Sequence, residues 1–82
     1  MAIEAAGFPL LHRAAVIGVG LIGGSWGMAL LRRGVAQEVV GFDVDALSLD
    51  RAIAVGAITQ KAETLEAAVR GAELVIVAVP VA

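Results

Sequence analysis

Apolar residues in this chain fall in short blocks, set apart by glycines and by a few charged or polar positions. Ala14-Ala15-Val16-Ile17-Gly18-Val19 has no polar member and is rich in β-branched residues, which predicts a first strand. Glycines then lead into Leu21 to Arg33, a predicted helix with two cations, Arg32 and Arg33, in its last turn. Both suit the negative end of the helix dipole, and Gly34 suits the left-handed position just past a helix end. Glu38-Val39-Val40-Gly41-Phe42 predicts a second strand. Asp45 is placed to cap a second helix over Ala46 to Val55, which Gly56 closes. Ala57 to Ala62 holds a shorter third strand around Ile58 and Thr59. Thr64 is placed to cap a third helix, Leu65 to Arg70, closed by Gly71. Glu73 to Val79 is a strongly apolar fourth strand stopped by Pro80, which has no N–H for a sheet ladder. Residues 1–12, with Gly7 and Pro9 as breakers, read as a lead-in, and residues 13–82 as the domain.

Strands that alternate with helices imply parallel crossovers, and right-handed crossovers build one open twisted sheet. The expected fold is α/β, doubly wound, with strand order 3-2-1-4 and helices on both faces. Composition agrees with a sheet buried on both sides: 60% of the 82 residues are hydrophobic and 17% are charged. The same balance excludes a disordered tail. A net charge of −2 argues against nucleic acid as a partner, which needs a basic stripe. With no Cys and one His (His12), neither a metal site nor a Ser–His triad is expected.

The apolar excess has a second candidate cause. Ala14 to Leu31 runs 18 residues without a charge, the lower limit for a membrane span, and has small-xxx-small spacings at Gly20/Gly24 and Gly23/Gly27. Five glycines and Ser25 inside the run weigh against it, since each helix-interior glycine costs about 1 kcal/mol relative to alanine. Glu4 sits where a secretory leader needs positive charge. No membrane partner is expected, and the location expected is cytoplasmic.

Gly18-Val19-Gly20-Leu21-Ile22-Gly23 is a G-x-G-x-x-G between a predicted strand and a predicted helix, the context that gives the string meaning. Gly18 permits the tight turn, Gly20 lets a diphosphate approach the backbone, and Gly23 lets the helix pack on the sheet. Free N–H groups of Leu21 and Ile22 would face the phosphates. Gly24 keeps the surface low, and the Ser25 hydroxyl is a candidate donor to a phosphate or a water. The bland reading of these glycines is close helix–strand packing alone; it accounts for Gly23 but not for all three in this register. Asp43 follows Gly23 by 20 residues at the end of strand two, the spacing of an acid that accepts from adenosine ribose hydroxyls. Its bland reading is a solvated turn acid, and Asp45 is a rival for the ribose better suited to capping. A 2′-phosphate beside Asp43 would meet like charge, with Val44 rather than a cation next to it, so the expected cofactor is NAD, with NADP disfavoured. Val79, Pro80 and Val81 lie at the strand-four end, where they either line the ligand groove or simply end the strand. Trp26 reads as packing, with stacking on a base as its less favoured alternative, His12 as a surface residue, and Arg51, Arg70, Glu63 and Glu66 as solvated helix faces. No catalytic residue is expected in this chain.

The run Val16-Ile17-Gly18-Val19-Gly20-Leu21-Ile22-Gly23-Gly24-Ser25 resembles the opening of prephenate and arogenate dehydrogenases, oxidoreductases of tyrosine biosynthesis. Val39 to Asp43, Ala54 to Ile58 and Gly71 to Val81 continue the likeness, which spans Arg13 to Val81. Trp26 departs from it, since a smaller aliphatic is usual there. The resemblance implies a Rossmann-type NAD-binding domain and oxidative decarboxylation of prephenate to 4-hydroxyphenylpyruvate, with prephenate or arogenate as the small-molecule substrate. It also implies a catalytic His and basic substrate-binding residues beyond the fourth strand, and a helical C-terminal domain with dimer contacts. The expectation is therefore part of a longer enzyme or a half-domain that self-associates through strand four, in either case a homo-oligomer. The alternative from another class is a non-catalytic NAD-binding module, sensing or structural.

Overall fold

A computed structural model describes residues 10–79. Pro80 and Val81, and residues 1–9 of the predicted lead-in, lie outside the described residues. The elements run β1 (Leu11–Ile17), α1 (Leu21–Arg32), β2 (Ala36–Phe42), α2 (Ala46–Val55), β3 (Gln60–Lys61), α3 (Leu65–Val69) and β4 (Leu74–Val77). All strand pairs are parallel, and the order is β3-β2-β1-β4, as expected.

The chain steps from β1 to β2 to β3 in one direction, so right-handed crossovers put α1 and α2 on one face. It then returns past β1 to β4, which puts α3 on the other. Side-chain alternation along the strands follows this division. Ala14, Val16 and Val39 point into a core shared with Leu30 of α1 and with Leu49 and Ala52 of α2. Ile17 and Val40 point into a smaller core with Ala68 of α3. No buried residue among those described is polar or charged.

The helix ends follow the local chemistry. Asp45 caps α2 by accepting from the Leu47 N–H, and Thr64 caps α3 by accepting from the Ala67 N–H. Gly34, Gly56 and Gly71 all take positive φ, each at or just past a helix end. Among the described residues no helix is long and apolar enough to cross a membrane. The Gly23/Gly27 spacing serves a different contact: both glycines are buried, with Gly23 against the turn after β1 and Gly27 against the backbone of Ala57.

Strand boundaries differ from the expectation in all four strands, β2 starting at Ala36 rather than Glu38. β1 starts at Leu11, ahead of the apolar run, and Leu11 pairs with Ala36. His12 and Arg13 are tolerated there because their side chains leave the sheet at its amino end, His12 beside Gln37 and Arg13 on Gln60 Oε1 and the Arg70 carbonyl. β3 is Gln60–Lys61, not a strand centred on Ile58 and Thr59. The Thr59 N–H still donates to the Val39 carbonyl, but the Val39 N–H goes to Thr59 Oγ1, so a side chain takes one rung a backbone carbonyl would supply. Ile58 turns into the core beneath Gly41. β4 spans only Leu74–Val77, although the Ala78 N–H still reaches the Ile17 carbonyl.

Glu73, predicted as the start of β4, instead folds its carboxylate back onto β1. Its Oε1 accepts from the His12 N–H at 2.6 Å and the Arg13 N–H at 3.2 Å. These two backbone donors, His12 first, hold the Glu73 carboxyl below its ordinary value near 4.5. A depressed carboxylate contributes stability above its unfolded value and loses it as pH falls through the folded one. Acid unfolding of Glu73→Gln is therefore expected to show a shallower pH dependence below pH 4.5 than the unsubstituted protein. Thermal melts across pH 3–6, roughly bracketing the carboxylate range, check this; superimposable acid limbs would remove the role.

Candidate functional site

Three strands end together at one side of the sheet, and the chain between β1 and α1 turns there on glycines. Gly18 has φ +91°, and a methyl group on it would lie 2.8 Å from the Ala78 carbonyl oxygen. Only glycine fits that turn, pressed between a left-handed backbone and the chain leaving β4. Its N–H donates to the Phe42 carbonyl, continuing the β1–β2 ladder by one rung. Gly23 sits in the first turn of α1 with its Cα against the Gly18 carbonyl. That contact draws the helix start down onto the sheet edge. Gly20, at the cap position just before α1, is different: nothing lies within 4 Å of where its side chain would stand.

The α1 N-terminus is consequently open. The first intrahelical bond counted from this end is from the Gly24 N–H to the Gly20 carbonyl, which leaves the N–H groups before it without helical partners. No described side chain caps this end, and no acid lies in its first turn. Both absences favour an external anion, because a capping carboxylate would compete for the same donors and the same dipole.

A cleft of about 980 Å³ opens over this turn, walled by the carboxyl ends of β1, β2 and β4. Gly18, Gly20, Leu21, Ile22, Asp43 and Val79, all expected from the sequence, line it. Asp43 is half-buried at its β2 side; Oδ2 accepts from the Val19 N–H at 2.9 Å and Oδ1 from the Asp45 N–H at 2.9 Å. A carboxylate has about four acceptor sites, so both oxygens keep capacity for ligand hydroxyls. Asp45 also faces the cleft but spends its carboxylate on the α2 cap and on the Ser48 hydroxyl. Its geometry favours the capping role over the ribose.

Three expected site residues stand back from the cleft. Gly23 is buried beneath the turn, and Gly24 lies 3.6 Å, by its absent methyl, from the Val19 carbonyl. The Ser25 hydroxyl donates to the Leu21 carbonyl within α1 at 2.8 Å, which directs it along the helix rather than toward a phosphate. Conversely, Trp26 corrects the packing expectation. It is 51% exposed and forms the cleft's outer wall with Leu21 and Ile22. The signal for this was present in the sequence: if Gly23, Gly27 and Leu30 form the buried stripe, Trp26 falls at its margin. Ile76, Val77 and Ala78 line the β4 side, and they too were missed as site residues.

His12 stands at the amino end of β1, the end of the sheet away from the cleft. Arg51, Arg70, Glu63 and Glu66 are all exposed, as expected, with Arg51 and Glu66 on helices and Glu63 and Arg70 just outside α3.

No protein-family model matches the chain. Among solved structures it is similar to the prephenate dehydrogenase from A. aeolicus, crystallised in complex with hydroxyphenyl propionate and NAD+. The match has a TM-score of 0.74 at 24% identity and covers 84% of this chain. It covers 24% of the other chain, so the present sequence spans about a quarter of that protein's length. The likeness establishes a Rossmann-like α/β fold with the 3-2-1-4 sheet.

Proposed function

We propose that this chain is the NAD-binding part of a prephenate dehydrogenase-like oxidoreductase, with the dinucleotide in the cleft over the glycine turn. The observation that carries the reading is that an uncapped helix N-terminus, a side-chain-free Gly20 and a half-buried carboxylate at Asp43 share one cleft. These residues fit the cofactor by donor type. N–H groups at the start of α1 suit a diphosphate, and Asp43 suits ribose hydroxyls. The apolar walls at Leu21, Ile22, Ile76 and Val77 suit the flat faces of the bases. Bound nicotinamide supplies hydride acceptance; this chain's residues bind it and keep one side of the cleft apolar.

The reaction itself, oxidative decarboxylation of prephenate, is supported by the G-x-G-L-I-G-G-S run and by the kind of structure the chain resembles. Residues for proton transfer and substrate binding belong, on this reading, to a separate domain.

NAD is favoured over NADP because the described cleft lining carries two carboxylates, Asp43 and Asp45, and no Arg, Lys or His. A 2′-phosphate would enter that negative field unpaired. Titration with both cofactors is expected to give NAD at least about tenfold tighter binding, equivalent to ~1.4 kcal/mol. Asp43→Ala is expected to weaken NAD and narrow the gap. Equal affinities in the unsubstituted protein would remove the NAD assignment, and binding of neither would remove the dinucleotide reading.

A further inference from the structure

We propose that Asp43 is a positioning residue as well as a ribose acceptor: its carboxylate holds the glycine turn and the start of α2 in the shape that receives a diphosphate. The proposal rests on the dinucleotide reading above and concerns how the same cleft is built.

The last backbone rung between β1 and β2 runs from the Gly18 N–H to the Phe42 carbonyl at 2.8 Å. One residue further on, the Val19 N–H is taken by Asp43 Oδ2 at 2.9 Å. A side-chain carboxylate thus carries the tie between the β1 and β2 ends one residue further, into the turn. The second oxygen accepts from the Asp45 N–H, which fixes Asp45 where its own carboxylate reaches the Leu47 N–H and the Ser48 hydroxyl. One charged group therefore ties together the two segments that enter the cleft, the turn before α1 and the first turn of α2.

Geometry narrows what this bond controls. The Val19 side chain is buried in the core and cannot move freely. Its peptide N–H is committed to Asp43 and so is not free to donate to a phosphate. The diphosphate is left to the N–H groups at the start of α1, and their direction depends on the peptides before them. Hydrogen bonds to a carboxylate are roughly twice as strong as neutral ones, so this one is suited to setting a peptide's orientation. Asparagine at 43 would keep one acceptor and turn an NH₂ toward one of the two N–H donors.

A cycle of two proteins and two ligands separates the roles. ADP carries the ribose hydroxyls, and 2′,3′-dideoxy-ADP carries the diphosphate without them. If Asp43 acts through the ribose alone, Asp43→Asn and the unsubstituted protein bind dideoxy-ADP equally. The expected result is that Asp43→Asn still binds dideoxy-ADP about tenfold more weakly, the scale of one charged hydrogen bond. Hydrogen exchange at the Val19 amide is expected to quicken by a similar factor without any ligand. Equal binding of dideoxy-ADP overturns the proposal. Should Asp43→Asn not fold, Asp43→Glu carries the same comparison, because it keeps the charge but lengthens the arm by a methylene; equal binding there overturns the proposal too. Failure of the unsubstituted protein to bind ADP would defeat the dinucleotide reading instead, and Val19 exchange alone would then decide the positioning role.

Discussion

Gly23→Ala is expected to destabilise the fold more than any other single methyl group added to this turn. A methyl group at this position would overlap the carbonyl oxygen of Gly18, and Val16 Cγ1 stands 3.0 Å away on the other side. Neither neighbour yields easily. Gly18 is fixed by its positive φ and by its bond to Phe42, and Val16 is fully buried near the carboxyl end of β1. Relief requires the start of α1 to lift off the sheet, and α1 carries Leu30 into the larger of the two cores. Overpacking of this kind costs roughly 3 kcal/mol or more. A domain of this length has about 4–12 kcal/mol in total, so the melting temperature should fall by ~12–24 °C. Gly27→Ala should behave similarly, since its methyl would overlap the Ala57 carbonyl oxygen. Gly24→Ala is the control: its nearest contacts are 3.6 and 3.9 Å, ordinary packing distances. There the helix propensity of alanine should show through as a gain of up to ~1 kcal/mol. Circular dichroism melts of the three variants check the set. A Gly23→Ala protein that melts with the unsubstituted one would mean that α1 is not seated as described.

How much of this was legible in the sequence follows from how local each signal is. The turn after β1 could be read because strand, glycines and helix are consecutive, and each glycine answers to a constraint from its near neighbours. The helix ends could be read for the same reason: Asp45, Thr64, Gly34 and Gly56 act within a few residues of themselves. Strand ends were less legible, because a partner strand decides them. Nothing in Ile58-Thr59 announces that the threonine hydroxyl, rather than a backbone carbonyl, will accept from the Val39 N–H. Nothing in Leu11-His12 announces a parallel partner at Ala36. The site divides in the same way. The spacing of Asp43 put it at the β2 end, but its bond to the Val19 N–H crosses 24 residues and has no sequence signature. Ser25 illustrates the converse failure: a hydroxyl near a helix start reads as a ligand donor, while the carbonyl one turn back is nearer and already placed.

Gly20→Ala is expected to do the opposite of Gly23→Ala: keep the fold and lose the ligand. Gly20 has φ −66° and ψ −157°, a backbone that alanine adopts without strain. Its missing side chain faces open space, so no protein atom has to move for a methyl group. Exposed substitutions of that kind change stability by no more than about 0.5 kcal/mol. The same methyl would stand beside the uncapped N–H groups of α1, in the volume a diphosphate needs to reach them. Holding the anion one methyl radius away lengthens several charge-assisted bonds together, each worth ~1.5–3 kcal/mol when well made. Loss of one such bond's worth, about 2 kcal/mol, weakens NAD or ADP roughly thirtyfold. Calorimetric titration beside a melt of the same sample checks both halves. The pairing matters more than either number, because packing alone predicts that glycines matter only where a methyl meets protein, and at Gly20 it meets none. An unchanged dissociation constant in a stable Gly20→Ala protein would therefore put the phosphate somewhere other than this turn. A sharply reduced affinity with an unchanged melt leaves close approach of a ligand as the physical reason for a glycine at that position.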